Sequence, residues 1–229
     1  MVKVCHIVVA AGSGSRFGSS LPKQFCEFAD GRPVLMTTID RLAATATGEI
    51  VLVLSEGMVP LWREMCVEHG FTSPRVVNGG ATRWESVRNA VGTVGDDVDV
   101  VTVHDGARPL VSREVVANVL GPMTDDESID GTIPVVDVTD SLREDCDGGH
   151  RAVDRSRYRA VQTPQAFRAD RLRTAYRLPY EPTFTDDASV MEAAGFKRLK
   201  LVGGSSRNIK ITRPEDLEIA RVLYMTEQR

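Results

Sequence analysis

Cysteine is scarce and scattered in this chain of 229 residues. Cys5, Cys26, Cys66 and Cys146 form no C-x-x-C pair. That spacing excludes a disulfide scaffold and fits reduced thiols in a cytosolic protein. His6, His69, His104 and His150 show no metal-ligand spacing, which excludes a zinc module of the usual kind. No apolar run reaches the ~18 residues a membrane span requires. No signal or transit segment precedes the first apolar run, so the expectation is a cytoplasmic protein that does not engage a membrane. An excess of basic residues is also missing: the net charge of −4 argues against a general nucleic-acid surface. No internal repeat or low-complexity linker divides the chain, and its length suits one α/β domain spanning residues 1–229.

What is present begins at the N-terminus. Val4 to Val9 is a nearly unbroken apolar run, the pattern of a strand buried on both faces of a parallel sheet. Ala10, Ala11, Gly12, Ser13, Gly14, Ser15 and Gly18 follow, small residues that let backbone amides approach a ligand closely. Arg16 lies inside this loop and Lys23 just beyond it, so two permanent cations can converge on a polyanion. The loop is not a dinucleotide fingerprint, because its third glycine falls one residue late at Gly18. It is not a P-loop either, because no Gly-Lys-Ser/Thr closes it.

Strand and helix patterns then alternate. Helices are expected over Pro33 to Ala46, Pro60 to His69 and Arg83 to Val94, with another capped by Ser112 and ended by Gly121-Pro122. Strands are expected at Glu49 to Leu54, Val76-Val77 and Val98 to Val103. Repeated βα units imply a Rossmann-like three-layer sandwich whose mixed sheet is mainly parallel and binds its ligand beyond the carboxyl ends of the strands. The informative clusters fall at those ends: Gly12 to Arg16, Gly79-Gly80 and His104 to Arg108. The alternation stops between Ile133 and Val161. Residues at about 137–158 are polar with Gly148-Gly149 at their centre, the pattern of a protruding β-arm, although a disordered insertion has the same composition. Beyond it come a helix near Asp170 to Tyr176 and another opened by Thr185 to Ser189. Short strands at Leu199 to Val202 and Asn208 to Thr212 precede a closing helix from Pro214.

Ala10 to Arg16 with Pro22-Lys23-Gln24 resembles the nucleotidyltransferases, and the Pro-Lys-Gln ending is most similar to their cytidylyltransferase branch. Adding Gly79 to Arg83 with Ser86-Val87, His104 to Pro109, Gln162 to Gln165, Thr185 to Ser189 and Asn208 to Thr212, the chain resembles the 2-C-methyl-D-erythritol 4-phosphate cytidylyltransferase family over almost its whole length. The resemblance implies a glycosyltransferase-A-like fold and transfer of CMP from CTP to a polyol phosphate in the non-mevalonate isoprenoid pathway. It assigns Arg16, Lys23, Arg155 and Lys210 to catalysis. It places CTP against Ala10, Ala11, Gly12, Gly14, Arg16, Lys23, Gly80, Ser86, Asp105 and Gly106. The polyol phosphate would meet Asp105, Arg108, Ser141, Arg155, Thr163, Thr185 and Lys210. Ser141 stands where the family commonly has threonine. Mg²⁺ on the phosphates, with no protein metal site, and a homodimer through the β-arm are further implications.

Taken singly, the same residues have plainer roles. Asp105 and Arg108 suit an ion pair at a strand end, and Thr163 and Thr185 suit turn or helix caps. Ribitol 5-phosphate cytidylyltransferase shares the loop and the CTP chemistry and stays open as an alternative. A nicotinamide-dependent oxidoreductase is disfavoured by the late Gly18, and a nucleotide sensor has no need of Lys23 and Lys210 together.

Overall fold

The strand β1, Val4–Val9, sits at the middle of an eight-stranded sheet in the computed structural model, which describes residues 2–12, 17, 21–45 and 47–227. It pairs in parallel with β2 (Glu49–Leu54) on one side and β4 (Val100–Asp105) on the other, and β2 in turn pairs with β3 (Arg75–Asn78). Two-residue alternation explains why these strands are apolar throughout. Cys5, Ile7, Val51 and Val53 point into one core layer, while Val8, Leu52 and Leu54 point into the other.

Helices fill both layers. On one face lie α3 (Arg83–Val91) and α5 (Ala169–Ala175), which bury Trp84, Val87, Ala90, Leu172 and Ala175, together with the short α6 (Asp187–Ala193). On the other lie α1 (Val34–Thr45), α2 (Val59–Glu68) and α4 (Arg113–Asp125), which bury Leu35, Leu42, Trp62 and Val116. Burial of a side chain such as Leu42 stabilises the fold by roughly 1.5–3 kcal/mol. The closing helix α7, Pro214–Glu227, packs Leu217 and Ala220 over Phe28, Val34 and Leu110.

Beyond β4 the sheet becomes mixed. β5 (Gly131–Asp137) pairs in parallel with the edge strand β10 (Leu199–Gly203). Between β5 and β4 lies the antiparallel β9 (Gln165–Arg168). The chain between β5 and β9 leaves the sheet as a hairpin of β6 (Arg143–Cys146) and β7 (Gly149–Ala152), exposed along both strands, and returns through β8 (Arg159–Val161) against β5. The polar segment forms a β-hairpin that turns at Gly148, whose positive φ of 86° suits glycine.

Two local expectations fail. Gly121-Pro122 does not end α4, which runs on to Asp125. The added turn buries Met123 against Val100, Val119 and Ala166, and Arg168 donates to the carbonyls of Met123 and Asp126 at its end. Those contacts offset the missing amide of Pro122. Asn208 to Thr212 has the alternation of a strand but pairs with no strand among the described residues. It crosses the carboxyl ends of the sheet, where the Ile211 amide donates to Ala107 O and the Ile211 side chain is buried.

Candidate active site

Where the chain leaves β1 and β4 in opposite directions across the sheet, their carboxyl ends frame a cavity of about 440 Å³. Three loops build its wall. Ala10, Ala11 and Gly12 follow β1, and their carbonyls are held from below by Gln24, whose Nε2 donates to Ala10 O at 2.8 Å and Gly12 O at 3.1 Å. Gln24 lies in the 3-10 turn Lys23–Phe25, which also brings Lys23 to the rim.

The second loop is Gly79 to Thr82. A Cβ on Gly79 would meet Ala11 Cβ at 2.5 Å and Ser86 Oγ at 2.9 Å, so only glycine lets this loop close on the first. Thr82 caps α3 in a reciprocal box with Glu85, and Ser86 Oγ accepts the Gly80 amide at 3.1 Å while donating to Thr82 O. The capped helix start aims the Arg83 side chain along the cavity wall.

The third element is Asp105, last residue of β4. It is 7% exposed and faces cations on several sides. Its Oδ2 lies 2.9 Å from Lys210 Nζ and 3.3 Å from Arg108 Nε, and its Oδ1 lies 3.8 Å from Arg83 Nε. Burial by itself would raise the carboxyl, but Lys210, Arg83 and Arg108 outweigh it and hold Asp105 well below the usual carboxylate range. Arg108, itself buried, also donates to Asn208 O at 2.7 Å and so fixes the crossing segment that carries Lys210. Arg83 makes a two-pronged pair with Asp187, Nη1 to Oδ1 at 3.1 Å and Nη2 to Oδ2 at 2.7 Å, and Tyr176 donates to the same carboxylate at 2.5 Å.

A cavity walled by glycine-loop backbone, Lys23, Lys210 and Arg83, with one carboxylate clamped among cations, suits a polyphosphate whose charge rises during reaction. The model of a family described as 2-C-methyl-D-erythritol 4-phosphate cytidylyltransferase matches residues 4–227. The chain belongs to that family. The family enzyme of Porphyromonas gingivalis is 47% identical over 219 residues, covering 95% of this chain and 96% of that one. Its counterpart in Bacteroides fragilis is 43% identical over 219 residues, covering 95% and 97%. The crystal structure of 4-diphosphocytidyl-2C-methyl-D-erythritol synthase from Anaerococcus prevotii superposes with a TM-score of 0.82 at 26% identity, covering 100% of this chain and 97% of that one.

Of the site residues expected from the sequence, Ala10, Ala11, Gly12, Lys23, Gly80, Ser86, Asp105 and Lys210 all line the cavity. Gly14 and Arg16 lie outside the described residues. Gly106 and Arg108 stand behind the wall: Gly106 packs against Ala10 and Leu35, and Arg108 braces Asp105. Thr163 is also behind it. Its hydroxyl accepts the Asp105 amide at 3.0 Å and donates to His104 Nδ1 at 3.0 Å, so His104 carries its proton on Nε2, facing Arg108 O. Thr185 is exposed just ahead of Asp186, the residue that caps α6. Ser141 and Arg155 are exposed on the arm, where Arg155 donates to Thr139 O. Arg83, Asp187 and Gln24 went unassigned in the sequence. A cation directly after a threonine cap was the available signal for Arg83, whereas nothing local marks Asp187 as its partner across 104 residues.

Proposed function

We propose that this protein transfers the CMP moiety of CTP to 2-C-methyl-D-erythritol 4-phosphate, giving 4-diphosphocytidyl-2-C-methyl-D-erythritol and pyrophosphate in the non-mevalonate isoprenoid pathway. The observation that carries the reading is the family match over residues 4–227 joined to a cavity in which Lys23, Lys210 and Asp105 converge.

The substrate phosphate oxygen attacks the α-phosphorus, and the bond from that phosphorus to the bridging oxygen of the β-phosphate breaks. A phosphate monoester is already a nucleophile at neutral pH, so the site has no need of a general base or a covalent intermediate. Its work is to bring two anions together and to offset charge on the α-phosphate oxygens. Lys23, with Arg16, faces the triphosphate, and Lys210 holds the incoming phosphate. Glycine-loop amides near Gly12 and the groups at Gly80 and Ser86 hold the nucleotide, and Asp105 accepts a substrate hydroxyl.

Mg²⁺ fits this site as part of the nucleotide. Asp105 is the acidic side chain in the cavity wall and its Oδ2 is taken up by Lys210 and Arg108. Among the described residues no cluster of three or more histidine, cysteine or acidic side chains could cage a metal. Bound with the nucleotide, the ion would take most of its ligands from phosphate oxygens and water and would lower the charge that Lys23 and Lys210 must meet.

The exposed arm serves a homodimer, carrying Arg155 and Ser141 to the polyol phosphate in the partner's site. Cytoplasmic localisation fits the reduced cysteines, and no helix among the described residues is long and apolar enough to cross a membrane. The direct test is pyrophosphate release from CTP and Mg²⁺ with 2-C-methyl-D-erythritol 4-phosphate or ribitol 5-phosphate as acceptor. Turnover with the first alone is expected; preference for ribitol 5-phosphate overturns the reading.

A further inference from the structure

Asp187 is fully buried and is not among the residues that line the cavity. Its two oxygens are occupied by Arg83 Nη1 and Nη2, with the Tyr176 hydroxyl on Oδ1. Tyr176 is itself locked, 3% exposed and stacked on Trp84 with ring centroids 5.8 Å apart. The Arg83 guanidinium thus has one tight carboxylate behind it and a second, Asp105, in front of it at 3.8 Å.

The two oxygens of Asp105 differ as a result. Oδ2 is filled by Lys210 and Arg108. Among the described residues Oδ1 has only the long approach of Arg83 Nε, and Asp105 lines the cavity, so toward these residues Oδ1 retains acceptor capacity. A guanidinium deprived of its partner at low dielectric moves to the next carboxylate within reach. Here that carboxylate is Asp105, less than one ångström beyond hydrogen-bond range.

We propose that Asp187 is a positioning residue for the reaction: by holding Arg83 in a two-pronged pair it keeps Arg83 off Asp105 Oδ1, which leaves that oxygen open to a substrate hydroxyl. The inference rests on the reading of Asp105 as a hydroxyl acceptor in the proposed reaction. Asp187 reaches the substrate through two intervening side chains, so its loss acts on binding first and on the chemical step only as far as the bound geometry drifts.

The experiment is a double-mutant cycle between Asp187→Asn and Asp105→Asn, read as KM for CTP, KM for the polyol phosphate and kcat, with calorimetric binding of CTP as a readout independent of turnover. Asp187→Asn is expected to raise one of the two KM values about tenfold or more, with a smaller fall in kcat. In the Asp105→Asn background the same substitution should add less than about twofold, because the carboxylate that Arg83 would have claimed is gone. Independent, multiplying losses would make Asp187 merely structural and overturn the proposal, as would unchanged KM values in folded Asp187→Asn. If Asp187→Asn does not fold, Arg83→Gln/Asp187→Asn removes both charges of the pair. In that background Asp105→Asn should cost as much as it does in the wild type, and no cost there overturns the proposal. An Asp105→Asn variant with wild-type constants would instead remove the hydroxyl-acceptor reading itself, a failure distinct from that of Asp187.

Discussion

Lys210 Nζ lies 2.9 Å from Asp105 Oδ2, so the lysine on the segment crossing the sheet ends is anchored to the last residue of β4. The lysine side chain is 40% exposed and stays reachable from the cavity. Asp105 keeps Arg108 and Arg83 as cationic neighbours when Lys210 is lost, so the fold does not depend on the lysine. Lys210→Ala should therefore lower kcat by on the order of a hundredfold while leaving the melting temperature within a few degrees of wild type. Lys23→Ala should do the same. Stopped-flow pyrophosphate release beside thermal melts checks both, and near-normal turnover in either variant removes that lysine from the mechanism.

Gln24 is 3% exposed and its amide bridges the carbonyls of Ala10 and Gly12. Gln24→Ala leaves two backbone acceptors without their donor, at a cost of about 1–3 kcal/mol. The nucleotide loop then loosens, and KM for CTP should rise more than kcat falls. A lower melting temperature with unchanged KM would show that Gln24 supports the fold alone.

The sheet was legible because period-two apolar runs leave a buried parallel strand few alternatives: β1, β2 and β4 lie close to where the runs place them. The cavity wall was legible for a different reason, since small loops at strand ends and nearby lysines are sequence-local. Asp187 and Tyr176 were not, because their partners come from α3 and the pairing exists only once the layers pack. The α4 extension failed for the same reason: Pro122 argues for a stop, and the burial of Met123 with the two bonds from Arg168 overrides it.

His6 and His104 are both buried, and burial pulls each down to about 4 from an ordinary 6.5. Both are neutral in the fold, so between 6.5 and 4 the unfolded chain binds more protons and stability falls as pH falls. Asp105, held below the usual carboxylate range, loses its contribution only in stronger acid. Between pH 8 and pH 5.5 each histidine should remove roughly 1 kcal/mol. Urea midpoints across that range measure it, and a flat profile would mean that the rings are solvated.

The lysines on the cavity wall cannot by themselves neutralise a triphosphate meeting a phosphate monoester. Turnover should vanish in excess chelator and return with Mg²⁺. In the proposed scheme the phosphates carry the ion, so the melting temperature of the ligand-free protein should not respond to Mg²⁺ or chelator. Undiminished turnover under chelation would count against the scheme.

The arm poses the last question, whether each site is completed by a second subunit. β6 and β7 are exposed along their full length, and a two-stranded hairpin with nothing packed against it is only marginally stable. Tyr158 and Val161, at the base of the arm, are 44% and 45% exposed, more apolar surface than a free hairpin base needs to show. A twofold pair in which each arm lies across its partner would cover both, since one patch then serves twice. Arg155 would carry its forked donors to the partner's polyol phosphate, a role Lys could not fill equally. Lys23→Ala and Arg155→Ala should each be strongly impaired as homodimers. When mixed, the subunit bearing Arg155→Ala keeps its own Lys23 and receives Arg155 from its partner, so about a quarter of all sites should be complete after random exchange. Recovery of activity on mixing, with exchange verified by mass, is the expected result. No recovery despite exchange, or a monomer at assay concentration by light scattering, would leave Arg155 a surface residue and each site the work of a single chain.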